Sequence, residues 1–117
     1  MNEKLPQRAE KPWGYEILFA HTHMYAGKVI FIRQGHRFSL QYHKKKDESF
    51  YIYQGKALLE VDGQDGNMEQ STVQAGDCFR VQPMTKHRLK AIEDTTIFEA
   101  STPELEDVVR LQDDYGR

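Results

Sequence analysis

The sequence predicts an all-β domain, built as a barrel or sandwich of short strands. Nine stretches either alternate between apolar and polar residues or are rich in β-branched and aromatic residues, and glycine-containing breaks separate several of them. Regularly spaced short strands of this kind are typical of β-sandwiches and β-barrels. The predicted strands cover residues 15–20, 28–34, 37–43, 48–54, 56–62, 67–74, 77–82, 87–92 and 95–101.

The two ends of the chain are less regular than its middle. Residues 1–10 are mostly polar, so we expect a flexible N-terminus there and a single folded domain over residues 11–117. The tail from Pro103 contains Glu-Leu-Glu-Asp-Val-Val-Arg-Leu, which could form one helical turn or an extended clasp.

Alternation along the predicted strands indicates which side chains face the interior. Glu48 shares a strand face with Phe50 and Ile52, and His87 shares one with Leu89 and Ala91. Two polar side chains are therefore in register with apolar residues, and a site built from them would lie in a largely hydrocarbon interior.

The predicted strand 37–43 has one polar and one apolar face. If the polar face lines the barrel, the apolar face needs cover, for which we expect a second copy of the chain; the alternative is cover by the chain's own N-terminal strand. The polar face holds Arg37, Ser39, Gln41 and His43, and the apolar face holds Phe38, Leu40 and Tyr42.

Composition limits the classes of function. At 117 residues, with 38% hydrophobic and 29% charged residues and a net charge of −2, the chain is expected to be one ordinary domain that binds neither nucleic acid nor membrane. We see neither a signal peptide nor a run of ~20 apolar residues, so a cytoplasmic location is the default expectation. Cys78, the only cysteine, is expected to be a small core residue rather than a nucleophile.

Four polar residues have a spacing that suits one metal ion. Gln41 and His43 project from the same face of a strand, a short turn can return Glu48 on the next strand, and His87 would complete the set. Other interpretations remain for single residues: His43 could be a hydrogen-bonded structural histidine, and Gln41 could orient a metal-bound water instead of binding the ion. The pair His21 and His23 has no acidic partner at useful spacing, so we expect a solvated turn there.

The glycines around these residues give a resemblance to a known family. The spacing of Gly35, Gln41, His43, Glu48, Gly55, Gly76, Pro83 and His87 resembles the cupin pattern, with Gln41 in place of its first histidine. The Gln-x-His pair, Lys11-Pro-Trp-Gly, Phe38-Ser-Leu-Gln-Tyr-His and the tail Glu106-Asp-Val-Val-Arg-Leu-Gln-Asp-Asp-Tyr-Gly-Arg117 are similar to the C-terminal cupin domain of type II mannose-6-phosphate isomerases.

This resemblance implies a double-stranded β-helix, or jelly-roll barrel, and metal-dependent aldose–ketose isomerisation of a small sugar or sugar phosphate. Mixed nitrogen and oxygen ligands favour Zn²⁺, with Mn²⁺, Fe²⁺ or Ni²⁺ as alternatives. The tail of the similar enzymes presents an arginine toward the site, which is Arg110 here and could stabilise developing negative charge. The candidate cations for a substrate phosphate are Arg37, Lys45, Arg88 and Arg117.

Other functions stay open at this point. A cupin dioxygenase using Fe²⁺ would normally have three histidines and a glutamate, so Gln41 counts against it, and a non-catalytic sugar-binding domain would hold metal without turnover. Nucleotidyl transfer is not expected because the sequence has no Gly-rich nucleotide loop. The run Lys44-Lys-Lys46 is either a solvated hairpin tip or an attractor for a phosphorylated substrate.

Overall fold

A computed structural model describes residues 4–63 and 66–116, and within these ranges the regular structure is entirely β. None of the described residues forms a helix long and apolar enough to cross a membrane. The strands are β1 (Gln7–Lys11), β2 (Gly14–His21), β3 (Ala26–Ile32), β4 (Leu40–Tyr42), β5 (Glu48–Gln54), β6 (Lys56–Asp62), β7 (Met68–Gln74), β8 (Cys78–Val81), β9 (His87–Ala91), β10 (Thr95–Ser101) and β11 (Val109–Gln112).

The strands form two antiparallel sheets that enclose one core. The first sheet has the order β1-β2-β3-β10-β5-β8, and the second has the order β11-β4-β9-β6-β7. This arrangement confirms the predicted all-β jelly-roll. Neighbouring strands are often distant in sequence, as in β3-β10-β5, so the sheets bring residues from both halves of the chain to one interior.

Alternation decides which side chains fill that interior. In β5 and β10 every second residue is buried, and these buried residues include Phe50, Ile52 and Ile97. The same buried faces carry charge at Glu48 and Glu99, which are 3% and 4% exposed. Two carboxylates on the buried face of one sheet need partners, and those partners define the candidate site.

The turn between β5 and β6 depends on a glycine. Gly55 has φ of +99°, and a Cβ built there would lie 2.3 Å from the carbonyl oxygen of Asp94 and 2.7 Å from the Cα of Thr95. Both the left-handed backbone and the close approach of the neighbouring strand exclude a larger residue.

The predicted strand 37–43 is shorter than expected. Only Leu40–Tyr42 forms β4, and Arg37 makes an isolated bridge to Lys90. Phe38 turns inward, packs against the core and meets the Trp13 ring edge-on, with 5.8 Å between ring centroids. The apolar stripe of Phe38, Leu40 and Tyr42 is therefore not formed, and a residue close to the chain's N-terminus covers Phe38.

Strands form near both ends of the described chain. Part of the segment 1–10, predicted to be flexible, is β1 paired with β2, and residues 1–3 lie outside the described ranges. The tail adopts the extended alternative, because β11 pairs with β4. Cys78 is exposed at the start of the edge strand β8, so the prediction of a core cysteine is wrong.

Candidate functional site

Three of the four predicted ligands converge between the two sheets. His43 directly follows β4, Glu48 opens β5 and His87 opens β9, so three strand ends meet at one point. The Nε2 atom of His43 lies 3.2 Å from Glu48 Oε2, and the Nε2 atom of His87 lies 3.6 Å from the same oxygen. All three side chains are at most 4% exposed.

Backbone carbonyls set the tautomers of both histidines. Nδ1 of His43 lies 2.5 Å from the carbonyl oxygen of Asp107, and Nδ1 of His87 lies 2.9 Å from that of Thr85. A carbonyl oxygen only accepts, so each Nδ1 carries the hydrogen and donates it. In the neutral rings, the Nε2 lone pairs are then directed at Glu48, which is the orientation of histidine ligands that have an outer hydrogen bond.

The converging atoms fit a divalent cation. Within the described part of the chain, His43 Nε2, Glu48 Oε2 and His87 Nε2 are buried without a hydrogen-bond partner. These ligand atoms all lie within 4.8 Å of one another. Ligands at about 2.0–2.2 Å from one ion stand roughly 3–3.5 Å apart, which is close to the two Nε2–Oε2 distances of 3.2 and 3.6 Å. Three facing acceptor atoms repel one another unless a cation or a proton lies between them.

The protonation states also suit metal binding. Burial raises the pKa of Glu48, but the close contact with His43 and the charge of Lys46 outweigh burial and bring it to about 2. Burial lowers the pKa of His87, so this ring is neutral. Burial also lowers the pKa of His43, but contact with Glu48 outweighs it and raises the pKa. A proton on His43 therefore competes with a metal ion for the same position.

Gln41 lies beside these three residues. Its backbone is in register with His87 on one side and Arg110 on the other. The side-chain Oε1 accepts a hydrogen bond of 2.7 Å from the hydroxyl of Ser39, which is fully buried. An amide oxygen has two lone pairs, so Gln41 keeps one acceptor position for a metal ion or a water.

A cavity of about 120 Å³ opens beside the three converging residues. One part of its wall is charged and another is aromatic or aliphatic. The lining residues are Lys11, Trp13, Glu16, Lys28, Ile30, Phe38, Gln41, His43, Lys46, Glu48, Phe50, His87, Glu99, Leu105, Val108 and Arg110.

A buried lysine connects the carboxylate of Glu48 to a second carboxylate. Nζ of Lys46 lies 2.8 Å from Glu48 Oε1 and 3.3 Å from Glu99 Oε2, and the Lys46 side chain is 5% exposed. Lys46 thus holds one oxygen of Glu48 and leaves the other directed at the histidines. Burial lowers the pKa of Lys46, but Glu99 and Glu48 outweigh burial and raise it, so the lysine is charged.

The C-terminal segment is attached to the site through Asp107. Its carboxylate accepts hydrogen bonds from three consecutive backbone amides, those of Lys44 (3.1 Å), Lys45 (2.7 Å) and Lys46 (2.9 Å). The carbonyl of the same residue accepts from His43 Nδ1. The side chain therefore clamps the loop after His43, while the main chain orients the ring of His43.

This geometry makes Asp107 a positioning residue whose loss should weaken metal binding. We expect Asp107→Ala to raise the Kd for a divalent metal about 10- to 100-fold, as is usual when an outer partner of a histidine ligand is disturbed. Competition with a chromophoric chelator at 25 °C measures this change. Asp114→Ala is the matched control, because it removes an aspartate that pairs with Arg37 at the surface. Equal metal affinity in both variants would contradict the assignment.

The structure brings Arg110 to the cavity, but none of the other described candidate cations lines it. Arg110 lines the cavity and is exposed, and no ion pair to it is formed within residues 4–63 and 66–116. Arg37 pairs with Asp114, Arg88 donates to the carbonyls of Phe38 and Gln112, and Lys45 is exposed outside the cavity wall. The fourth candidate, Arg117, is outside the described residues.

The pair His21 and His23 does not join the site. His21 Nε2 lies 3.3 Å from the carbonyl oxygen of Pro103, and His23 is exposed. Among the described residues, the group of histidines and acidic side chains that could hold a metal consists of His43, Glu48 and His87.

Sequence reasoning missed Lys46 and Glu99 as parts of the site. Each had a usable signal: Lys46 stands two residues before Glu48, and Glu99 shares its strand face with Ile97. Residues two positions apart on a strand point to the same side, so a charged residue at such a position is expected to face the interior. The run Lys44–Lys46 is therefore not simply a solvated tip, because its last lysine is buried.

Comparisons with known proteins agree with this fold. A search of the curated proteins returned no match. Among solved structures, KdgF from Halomonas sp. aligns with a TM-score of 0.73 at 22% identity, covering 83% of this chain and 86% of that one. A structure described for the Mn(II) centres of Bacillus subtilis oxalate decarboxylase aligns with a TM-score of 0.77 at 22% identity, covering 90% of this chain and 30% of that one.

CapF bound to 3-isopropenyl-tropolone aligns with a TM-score of 0.78 at 16% identity, covering 91% of this chain and 34% of that one. The chain thus spans about a third of the CapF and oxalate decarboxylase chains, and likenesses at these identities concern the fold alone. The sequence model of the cupin domain family matches residues 27–100, which is more than half of the chain. The protein therefore belongs to the cupin family.

Proposed function

We propose that the protein is a divalent-metal-dependent aldose–ketose isomerase acting on a sugar phosphate. The observation that carries the proposal is the convergence of three buried, unpartnered ligand atoms from His43, Glu48 and His87 on one side of a cavity that also holds Arg110. We propose Gln41 as a fourth ligand, and Zn²⁺ as the first metal to test because the donor set mixes nitrogen and oxygen.

The metal and the cavity supply different parts of the chemistry. A divalent ion bound there would polarise the carbonyl and the neighbouring hydroxyl of the sugar. Isomerisation moves a proton between C2 and C1, and negative charge develops on the sugar oxygens during this transfer. Arg110 suits stabilisation of that charge, because a guanidinium stays protonated and this one has no carboxylate partner in the described ranges.

The test begins with metal analysis of the purified protein. The metal-loaded protein is then assayed for interconversion of aldose and ketose phosphates, beginning with mannose 6-phosphate and fructose 6-phosphate. Turnover that disappears on chelation and returns with added metal is the expected result. Bound metal without turnover on any sugar phosphate would instead favour a sugar-binding cupin, and turnover that requires O₂ would favour a dioxygenase.

We also propose a homodimer, formed through the outer face of the six-stranded sheet rather than through the stripe predicted from sequence. The ring of Phe98 stacks there on those of Tyr51 and Tyr53, with centroid separations of 6.4 and 4.9 Å respectively. The three residues are 39–53% exposed. An antiparallel sheet face can meet its own copy about a two-fold axis, and burying such rings on a second copy recovers the cost of their exposure.

Sedimentation at micromolar concentration tests the dimer. We expect twice the monomer mass of 13.7 kDa, and a shift to monomer in Phe98→Asp. Tyr25→Asp is the control, because Tyr25 is an exposed aromatic residue in the turn between β2 and β3. A parent protein that sediments at 13.7 kDa would disprove this arrangement.

A further inference from the structure

The cavity wall holds two further polar atoms with unmet hydrogen bonding. Trp13 Nε1 and Glu99 Oε2 are buried, and neither has a hydrogen-bond partner in the described part of the chain. Both residues line the cavity, with Trp13 3% exposed and Glu99 4% exposed. Native proteins rarely leave buried polar groups unpaired, so these two call for a partner that the folded chain does not provide.

Trp13 offers one hydrogen-bond donor on an apolar ring that is held by packing. The residue lies between β1 and β2, and its ring packs edge-on against Phe38. The indole N–H donates only. A ligand near this wall would therefore find a hydrophobic surface and a single hydrogen-bond donor, which suits a molecule with both C–H faces and oxygen atoms.

Glu99 offers an acceptor close to the metal-facing group. Its Oε2 lies 3.3 Å from Lys46 Nζ, and the same ammonium lies 2.8 Å from Glu48 Oε1. This contact with Lys46 is electrostatic, since Oε2 of Glu99 still lacks a hydrogen bond of adequate geometry within the described ranges. One lysine therefore separates Glu99 from the candidate metal ligand.

The lysines that line the cavity are paired with its three carboxylates, which bears on the kind of group that fits there. Nζ of Lys28 lies 3.3 Å from Glu16, and Nζ of Lys11 lies 3.9 Å from the same carboxylate. Lys46 is likewise paired with its two glutamates. Among the lining cations in residues 4–63 and 66–116, only Arg110 has no ion-pair partner. An anionic group would therefore be drawn to Arg110, whereas a hydroxyl group can bind elsewhere on the wall without an unpaired cation.

We propose that Trp13 Nε1 and Glu99 Oε2 form a second polar subsite that binds hydroxyl groups of a polyhydroxylated ligand. A hydroxyl both accepts and donates, so it can satisfy either the indole or the carboxylate. The substrate would then enter with its hydroxylated part inside the cavity and with its anionic group at the mouth, beside Arg110. This orientation of a sugar phosphate depends on the proposed isomerase function, whereas the binding of hydroxyl groups by the subsite does not.

Binding measurements test the subsite without requiring turnover. D-mannose serves as a neutral probe of the metal-loaded protein, and calorimetry gives its Kd. Trp13 is the only tryptophan of the chain, so its fluorescence also reports directly on occupancy of the cavity in the parent. We expect Trp13→Phe, which keeps an aromatic ring but loses the donor, to weaken mannose binding about 3- to 10-fold. Glu99→Gln should weaken it about 3- to 10-fold, because one carboxyl oxygen is replaced by an amide nitrogen that cannot accept.

Controls separate this subsite from the metal centre and from the isomerase proposal. Both variants should keep the metal content of the parent, and Glu60→Gln, a change on β6 outside the cavity wall, should bind mannose normally. Parent-like mannose binding in both Trp13→Phe and Glu99→Gln would overturn the proposal, because the two polar atoms would then be bonded to water and not to the ligand. So would a parent that binds inorganic phosphate but not mannose. Mannose binding that depends on both residues in a protein without isomerase activity would retain the subsite and reject the isomerase.

Discussion

Replacing both His43 and His87 with alanine should abolish stoichiometric metal binding. The two rings supply two of the three unpartnered atoms that converge between the sheets, and Glu48 with Gln41 cannot hold an ion with comparable affinity. Each single variant should also lose bound metal, and with it any metal-dependent turnover. Metal analysis of protein purified without chelators measures the loss.

Matched histidine variants make this result specific. His21→Ala and His23→Ala should retain the parent's metal, because neither residue belongs to the converging group. The loss of metal should be accompanied by only a modest fall in stability, since the apolar core of Ile32, Ile52 and Ile97 lies in the sheets themselves. Stoichiometric metal in the double variant would refute the site.

Removing Arg110 should reduce kcat far more than it weakens metal binding. A contact that strengthens only as charge develops acts on the transition state, so its loss appears in kcat. Electrostatic groups of this type contribute about 2.7–4 kcal/mol, so Arg110→Ala should slow interconversion of mannose 6-phosphate and fructose 6-phosphate by about 10²–10³. Steady-state kinetics with added divalent metal, together with metal analysis of the variant, measure both quantities.

The competing role for Arg110 is a surface ion pair with Asp107 or Asp113. The hydrogen bonds of these two carboxylates argue against it. The carboxylate of Asp107 is engaged by three backbone amides, and that of Asp113 accepts the backbone N–H of Tyr115. A surface role would cost at most ~1 kcal/mol of stability and no activity. Arg110→Lys keeps the positive charge but loses the planar guanidinium. Turnover between those of the parent and Arg110→Ala would show how much of the effect comes from charge and how much from the guanidinium geometry. Unchanged turnover in Arg110→Ala would remove it from the mechanism.

The fold could be predicted from sequence where one strand face is buried. The residues of β5, β6 and β10 were predicted with their observed bounds, because alternation or apolar content marks each of them. Prediction failed where a strand is held by pairing instead of burial. The polar strand β1 is mostly exposed and pairs with β2, so its sequence has no hydrophobic signal. Residues 37–39 look like a strand but leave the sheet, since Phe38 packs under Trp13.

The site could be predicted only in part, for a related reason. The candidate metal ligands follow from local spacing along β4 and β5 and from the resemblance to a family. The contacts of Lys46 with Glu99 and of Asp107 with the loop after His43 join residues that are far apart in sequence. Periodicity describes one element at a time, so it cannot reveal which distant elements meet.

The way the cavity is assembled has a consequence for the order of folding and metal capture. Its walls come from distant parts of the chain: Trp13 and Glu16 precede the candidate metal ligands, and Glu99, Val108 and Arg110 follow them. Contacts of such high sequence separation form late, after the entropy of closing long loops has been overcome. During synthesis, His43 and Glu48 emerge well before the segment that orients and covers them. We therefore expect the finished domain, and not the emerging chain, to select its metal ion.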